Sequence, residues 1–155
     1  MNNYKGFDFD DWMEFYSKGN TYSYSKAEIL SIYELARFSL ENGDIHRAEI
    51  LFLGLTNIVP DFVPAWLGLT YVYIQQGSDE DALNAAKMAY RYAPERIEAI
   101  LFYASCLLSC GDLNTAGMYL GEVADKVGNG ISLSPNVSRF FYFQMARYQA
   151  LAEEG

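Results

Sequence analysis

The chain holds two cysteines, four prolines and a single histidine in 155 residues, and its 11 lysines and arginines are outnumbered by 20 acids. Each scarcity closes off a class of function. Two cysteines, Cys106 and Cys110, make no disulfide framework and suit a reducing, cytoplasmic compartment. No other Cys or His stands near them in sequence, so they form no zinc site and are expected to be small core-filling thiols. The histidine, His46, opens a helix with no Cys, Ser or second His nearby, and is expected to face solvent. Without a recognisable nucleophile and base, no catalytic residue, metal or cofactor is assigned, and the chain is not expected to be an enzyme. A net charge of −9 would repel a phosphate backbone, which argues against nucleic acid. No run approaches the ~20 apolar residues of a membrane span. The start, "MNNYKGFDFDDWMEF", is acidic and polar where a signal peptide would be basic and then apolar, so a cytosolic location is expected.

What the chain does have is a period. Gly43, Gly77 and Gly111 are spaced by 34 residues, as are Ala48, Ala82 and Ala116, and Pro60 and Pro94 are followed at the same interval by Gly128. The apolar residues Leu35, Leu69 and Tyr103 share one phase, and Ile32, Trp66 and Ile100 another. Each glycine stands where a helix must stop and reverse, a site that wants positive φ. Asp44, Ser78 and Asp112 follow as N-caps for the next helix. The alanines let paired helices approach closely, and the prolines end the second helix. Each copy is therefore helix, tight turn, helix, and such hairpins bury their apolar sides only by stacking. On these marks the chain resembles the tetratricopeptide repeat (TPR) family over 29–62, 63–96 and 97–130. The middle copy is the most faithful, with Trp66, Leu69, Tyr73, Gly77, Ala82, Ala89 and Pro94 in place. The three copies depart from the pattern at Ala36, Thr70 and Ala104, where a glycine is usual, and keep the large aromatic of the second helix only as Phe52, with Ala86 and Leu120 elsewhere. The expected fold is all-α, three TPR copies in a short right-handed solenoid. Composition, 51% hydrophobic and 20% charged, fits one core.

Two flanks complete the organisation. Residues 1–28 hold an amphipathic stretch, Phe7 to Lys18, in which Phe9, Trp12, Met13 and Phe15 or Tyr16 fall at helical spacing. It is expected either to lid the open end of the stack or to self-associate, making a homodimer through Phe9, Trp12, Met13 and Tyr16. Ser25 and Glu28 form a capping box for the first repeat helix. In residues 131–155, Ser134 and Pro135 open a C-terminal capping helix whose apolar stripe is Val137, Phe141, Met145 and Tyr148. Gly117 and Gly121 sit inside a helix at a cost of about 1 kcal/mol each relative to alanine, which suggests that another backbone passes close.

With no chemistry in sight, the functional candidate is a surface. In TPR stacks the first helix of each pair lines the concave side. The residues in that register are Leu30, Tyr33, Arg37 and Leu40 in the first copy; Pro64, Leu67, Tyr71 and Ile74 in the second; and Glu98, Leu101, Ser105 and Leu108 in the third. A groove lined by Tyr33, Arg37, Leu40, Leu67, Tyr71, Ile74, Leu101 and Leu108 would take an extended, apolar-anchored segment of a protein partner. The reading requires concave-side hydrocarbon to stay exposed once the hairpins have closed. TPR domains that clamp the acidic tails of heat-shock chaperones use Lys, Asn and Arg on this face. Here the matching positions hold Tyr33, Gly68, Glu98 and Phe102, with Arg37 the lone cation, so such a clamp is not expected.

The passages "YELARFSLENGDIHRAEILFLGL", "PAWLGLTYVYIQQGSDEDAL" and "ASCLLSCGDLNTAGMYLGEV", with an acidic balance and an extra helix at each end, resemble the class II chaperones of bacterial type III secretion. That resemblance, over about residues 29–130, implies a bacterial cytoplasmic, non-enzymatic chaperone, often dimeric through its N-terminal region. Its concave groove would hold a segment of a hydrophobic translocator. The alternative is a scaffold or assembly subunit, including a needle-subunit chaperone, whose groove keeps one partner permanently.

Overall fold

The computed structural model describes residues 24–155, which form helices joined by tight turns, with no strand among them. Phe9, Trp12, Met13 and Tyr16, and with them the expected N-terminal amphipathic helix, lie outside the described residues. In chain order the helices are α1 (Lys26–Glu41), α2 (Ile45–Ile58), α3 (Val63–Gln75), α4 (Asp79–Tyr92), α5 (Ile97–Ser109), α6 (Leu113–Gly128) and α7 (Pro135–Glu154). They pack as successive hairpins, α1 with α2, α3 with α4 and α5 with α6, each hairpin stacked on the next, and α7 lies against both α5 and α6.

The turns obey the expected punctuation. Gly43, Gly77 and Gly111 take φ of 80°, 73° and 84°. The amides of Asp44, Ser78 and Asp112 then reach back to the carbonyls of Ser39, Tyr73 and Leu107 at 2.8, 2.9 and 2.9 Å, which closes each helix with a Schellman turn. Asp44 and Asp112 accept from the amides of Arg47 and Thr115, each at 3.1 Å, whereas Ser78 makes no side-chain cap bond. Their backbones are alike, with φ between −85° and −90° and ψ between 74° and 76°. The serine hydroxyl is one bond shorter than the carboxylate, and from that backbone it falls short. Ser25 accepts from the Glu28 amide at 3.2 Å and donates to Glu28 Oε1 at 3.0 Å. The third copy ends differently from the other two. With glycine in the place of proline nothing forbids the helix at Gly128, so α6 runs 16 residues against 14 for α2 and α4, and the reversal falls to Gly130 at φ 98°.

Between hairpins the packing is built on complementary sizes. Phe52 is fully buried above Gly68, and a Cβ added at Gly68 would lie 2.5 Å from its ring. One interface further on the sizes are exchanged, since Ala86 and Phe102 occupy the equivalent positions, and the summed volume is conserved. Tyr90 and Tyr103 stack with ring centroids 5.4 Å apart, and Tyr119 meets them edge-on at 5.0 and 5.2 Å, joining α4, α5 and α6. A hydrogen bond with Tyr119, then burial, pushes the Tyr90 phenol up to about 12. Gly117 is approached by the ring of Tyr148 rather than by a backbone, with 2.8 Å from an added Cβ to the ring, while nothing lies within 4 Å of one at Gly121. Gly68→Ala is therefore expected to lower stability by about 1–3 kcal/mol through overpacking, and Gly121→Ala to raise it by up to about 1 kcal/mol through helix propensity. Urea titrations of the two variants check the opposite signs.

The cysteines separate. Cys106 is 1% exposed against Ala82 and Ala86, and burial pushes its thiol up to about 12. Cys110 caps α5 and is exposed, so only one of the pair fills the core. His46 faces solvent. The α7 stripe of Val137, Phe141, Met145 and Tyr148 packs into the cluster of Ile100, Leu101, Ala104, Leu120 and Val123, as a capping helix should.

Candidate functional site

The first helices α1, α3 and α5 repeat one register, and the structure divides that register by depth. Tyr33, Leu67 and Leu101 are 2%, 1% and 0% exposed. Each sits at the joint between its helix and the next: Tyr33 packs against Phe62 at 5.6 Å, Leu67 lies with Ala99 and Phe102 of α5, and Leu101 lies with Phe141 of α7. Leu108 is sealed in the same cluster as Leu101. These four, expected as groove lining, belong to the core. Stacking itself consumes their apolar surface, because neighbouring first helices meet along that ridge.

What stays accessible is a shorter row. Arg37, Leu40 and Tyr71 are half-buried and Ile74 is exposed. Leu40 bridges the first and second hairpins, touching both the cluster of Tyr33 and Phe62 and the cluster of Leu67 and Phe102, in which Tyr71 also packs. Arg37 lies over the Tyr33 ring, 5.9 Å from its centroid, and 3.8 and 4.0 Å from Glu34 and Glu41. Its Nε is buried without a hydrogen-bond partner. Burial pushes the Tyr33 and Tyr71 phenols upward, so both rings stay neutral and hydrogen-bonding at physiological pH. The row thus offers an aromatic and two aliphatic side chains beside one cation already flanked by acids.

The third hairpin adds residues that no local pattern exposes. Ser105 stands in register with Arg37 and Tyr71, and Ser109 with Glu41 and Gln75, but α7 crosses here. Arg147 donates to Ser105 Oγ at 3.2 Å, Gln144 Oε1 at 2.8 Å and Ser109 Oγ at 3.1 Å. Phe140 meets Phe102 with ring centroids 5.0 Å apart. The small hydroxyl residues were the one available signal, since they make room for a covering helix; the cation it carries could not be foreseen.

A second surface is the free edge of α1. Phe38 is 63% exposed and Leu35 40%, although their counterparts Val72 and Leu69 are buried and Cys106 is sealed by α4. In the inner copies the preceding second helix covers these positions. At α1 none of the described residues does.

No family model matches the chain, and no curated protein matches it. Among solved structures, the Yersinia enterocolitica type III secretion chaperone SycD in complex with a peptide of the translocator YopD superposes with a TM-score of 0.71 at 18% identity, over 84% of this chain and 96% of that one. PcrH in complex with the chaperone-binding region of PopD gives 0.71 at 18% identity, over 87% of this chain and 98% of that one. The Sgt2 TPR domain from Aspergillus fumigatus gives 0.66 at 17%, over 83% of each. The fold is that of a TPR solenoid. At these identities the likeness carries architecture, and it agrees with the glycine, alanine and proline phases. No helix among the described residues is long and apolar enough to cross a membrane.

Proposed function

We propose that the protein is a non-enzymatic binding module that holds an extended, apolar-anchored segment of another protein across Leu40, Tyr71 and Ile74, with Arg37 at one side. We assign it as a type III secretion chaperone for a hydrophobic translocator-type cargo in the bacterial cytoplasm. The observation that carries the reading is the half-exposed Leu40, Tyr71 and Ile74 row left on the first helices after stacking has consumed the rest. It is supported by SycD and PcrH, two proteins of this fold solved with a peptide of the translocator YopD and with the chaperone-binding region of PopD. A fully buried apolar side chain contributes about 1.5–3 kcal/mol; three anchors give at most about 9 kcal/mol before ordering and association costs, so micromolar binding, about 8 kcal/mol, needs further contacts along the segment. Covering apolar cargo until export would prevent its aggregation.

Affinity purification from the native cell tests the role. A chaperone's cargo co-elutes, carries long apolar stretches and leaves at secretion. A partner that remains stoichiometric in a finished assembly supports the scaffold alternative instead.

The α1 edge, which no described residue covers, supports a second assignment, that Phe9, Trp12, Met13 and Tyr16 self-associate across Leu35 and Phe38 of a second copy. Deleting residues 1–20 is then expected to leave a monomer by sedimentation velocity where the full chain is a dimer; a truncated chain that still sediments as a dimer removes the N-terminal segment from the interface.

A further inference from the structure

Arg147 carries a charge that no acid among the described residues meets. It is half-buried, and its guanidinium is held in place from two helices by neutral acceptors only: Ser105 Oγ, Ser109 Oγ and Gln144 Oε1. Gln144 is itself 2% exposed, so one wall of the setting is rigid. Among the described residues no carboxylate lies within ion-pair distance of Arg147. Two N–H groups of the Nη1 nitrogen and one of Nη2 are engaged, which leaves the Nε–H and the second Nη2–H. Those donors remain to meet a carboxylate. In a chain of net charge −9, an arginine desolvated in part and offered only hydroxyls and an amide is an uncompensated cost that a bound anion offsets. The position is specific too. Ser105 continues the register of Arg37 and Tyr71, so Arg147 stands at the third-hairpin end of the apolar row, on α7 rather than on a first helix.

We propose that the segment bound along Leu40, Tyr71 and Ile74 carries an aspartate or glutamate side chain beyond its apolar anchors, and that Arg147 reads it. The proposal rests on the docking reading above and adds the partner's chemistry: an apolar stretch followed toward the third hairpin by one acid. Neighbouring first helices pack about 8–10 Å apart. An extended chain advances about 3.3–3.6 Å per residue, so the acid falls roughly two to three residues from the anchor at Tyr71.

The test uses the full chain and a library of acetylated, C-terminally amidated peptides, each with two leucine anchors and one scanned position holding Asp, Glu, Asn or Gln. Amidation removes the terminal carboxylate, so only side-chain acids are read. The wild type is expected to prefer Glu or Asp over its amide by roughly tenfold or more at one spacing, with the preference shrinking as salt rises. Arg147→Gln should abolish that preference while the leucine requirement stays. Ser109→Asp, at an exposed position, supplies an internal carboxylate to Arg147 and should abolish it as well without touching α7. Leucine selection with no acid preference in the wild type, or a preference that survives both variants, overturns the proposal and leaves the docking reading intact. Failure to select any peptide overturns the docking reading itself.

Discussion

Leu101→Glu is expected to abolish cooperative folding, although the residue shares its register with a surface row. Leu101 is 0% exposed among Ile100, Ala104, Phe141 and their neighbours. A glutamate there forfeits the side chain's burial, about 1.5–3 kcal/mol, and adds the cost of an unpaired buried carboxyl, several kcal/mol more. Against a typical total stability of about 5–15 kcal/mol, little or nothing remains. Leu101→Ala separates the cavity from the charge and should cost about 2–5 kcal/mol. Thermal melts followed by circular dichroism decide the matter. A Leu101→Glu variant that melts like the parent would return this residue to the surface and undo the assignment of the register by depth.

The same substitution one hairpin earlier should act on binding instead. Tyr71→Glu combined with Ile74→Glu is expected to weaken partner binding by roughly a hundredfold or more, from two anchors at about 1.5 kcal/mol or above each. Helical content should be retained, because Tyr71 is half-buried and Ile74 exposed. Two new carboxylates would also face whatever acid the partner carries. Isothermal titration with the co-purified cargo, beside circular dichroism of the variant, reads both outcomes. Unaltered affinity with intact helices would remove this face from the account.

The fold was legible in the sequence because its marks are local. Gly43, Gly77 and Gly111 are needed for a backbone angle, and Ala48, Ala82 and Ala116 for a close approach. Both constraints act within one hairpin, so spacing alone carries them. The site was legible only in part, because a residue's exposure depends on what lies across from it. Tyr33, Leu67 and Leu101 look like lining from their phase, and become core only when the next first helix, or α7, closes over them. Arg147 reaches Ser105 across 42 residues of chain, a contact no periodicity encodes. The exchange of sizes between Phe52 over Gly68 and the register pair Ala86 and Phe102 accounts for the missing aromatic at Ala86, though not for the one at Leu120. The volume moved to the facing helix, so the departure from the repeat pattern leaves the stack closed.

The most direct measurement places a photo-crosslinking residue at Tyr71 and, in a separate variant, at Met118, which is 61% exposed on the second helix of the third hairpin. Irradiation in the native cell followed by mass spectrometry then identifies what each position touches. An adduct is expected at position 71 to one apolar segment of one cargo protein, with none of that cargo at position 118. Cargo captured at 118 but not at 71 would place the docking face elsewhere and overturn the proposed site.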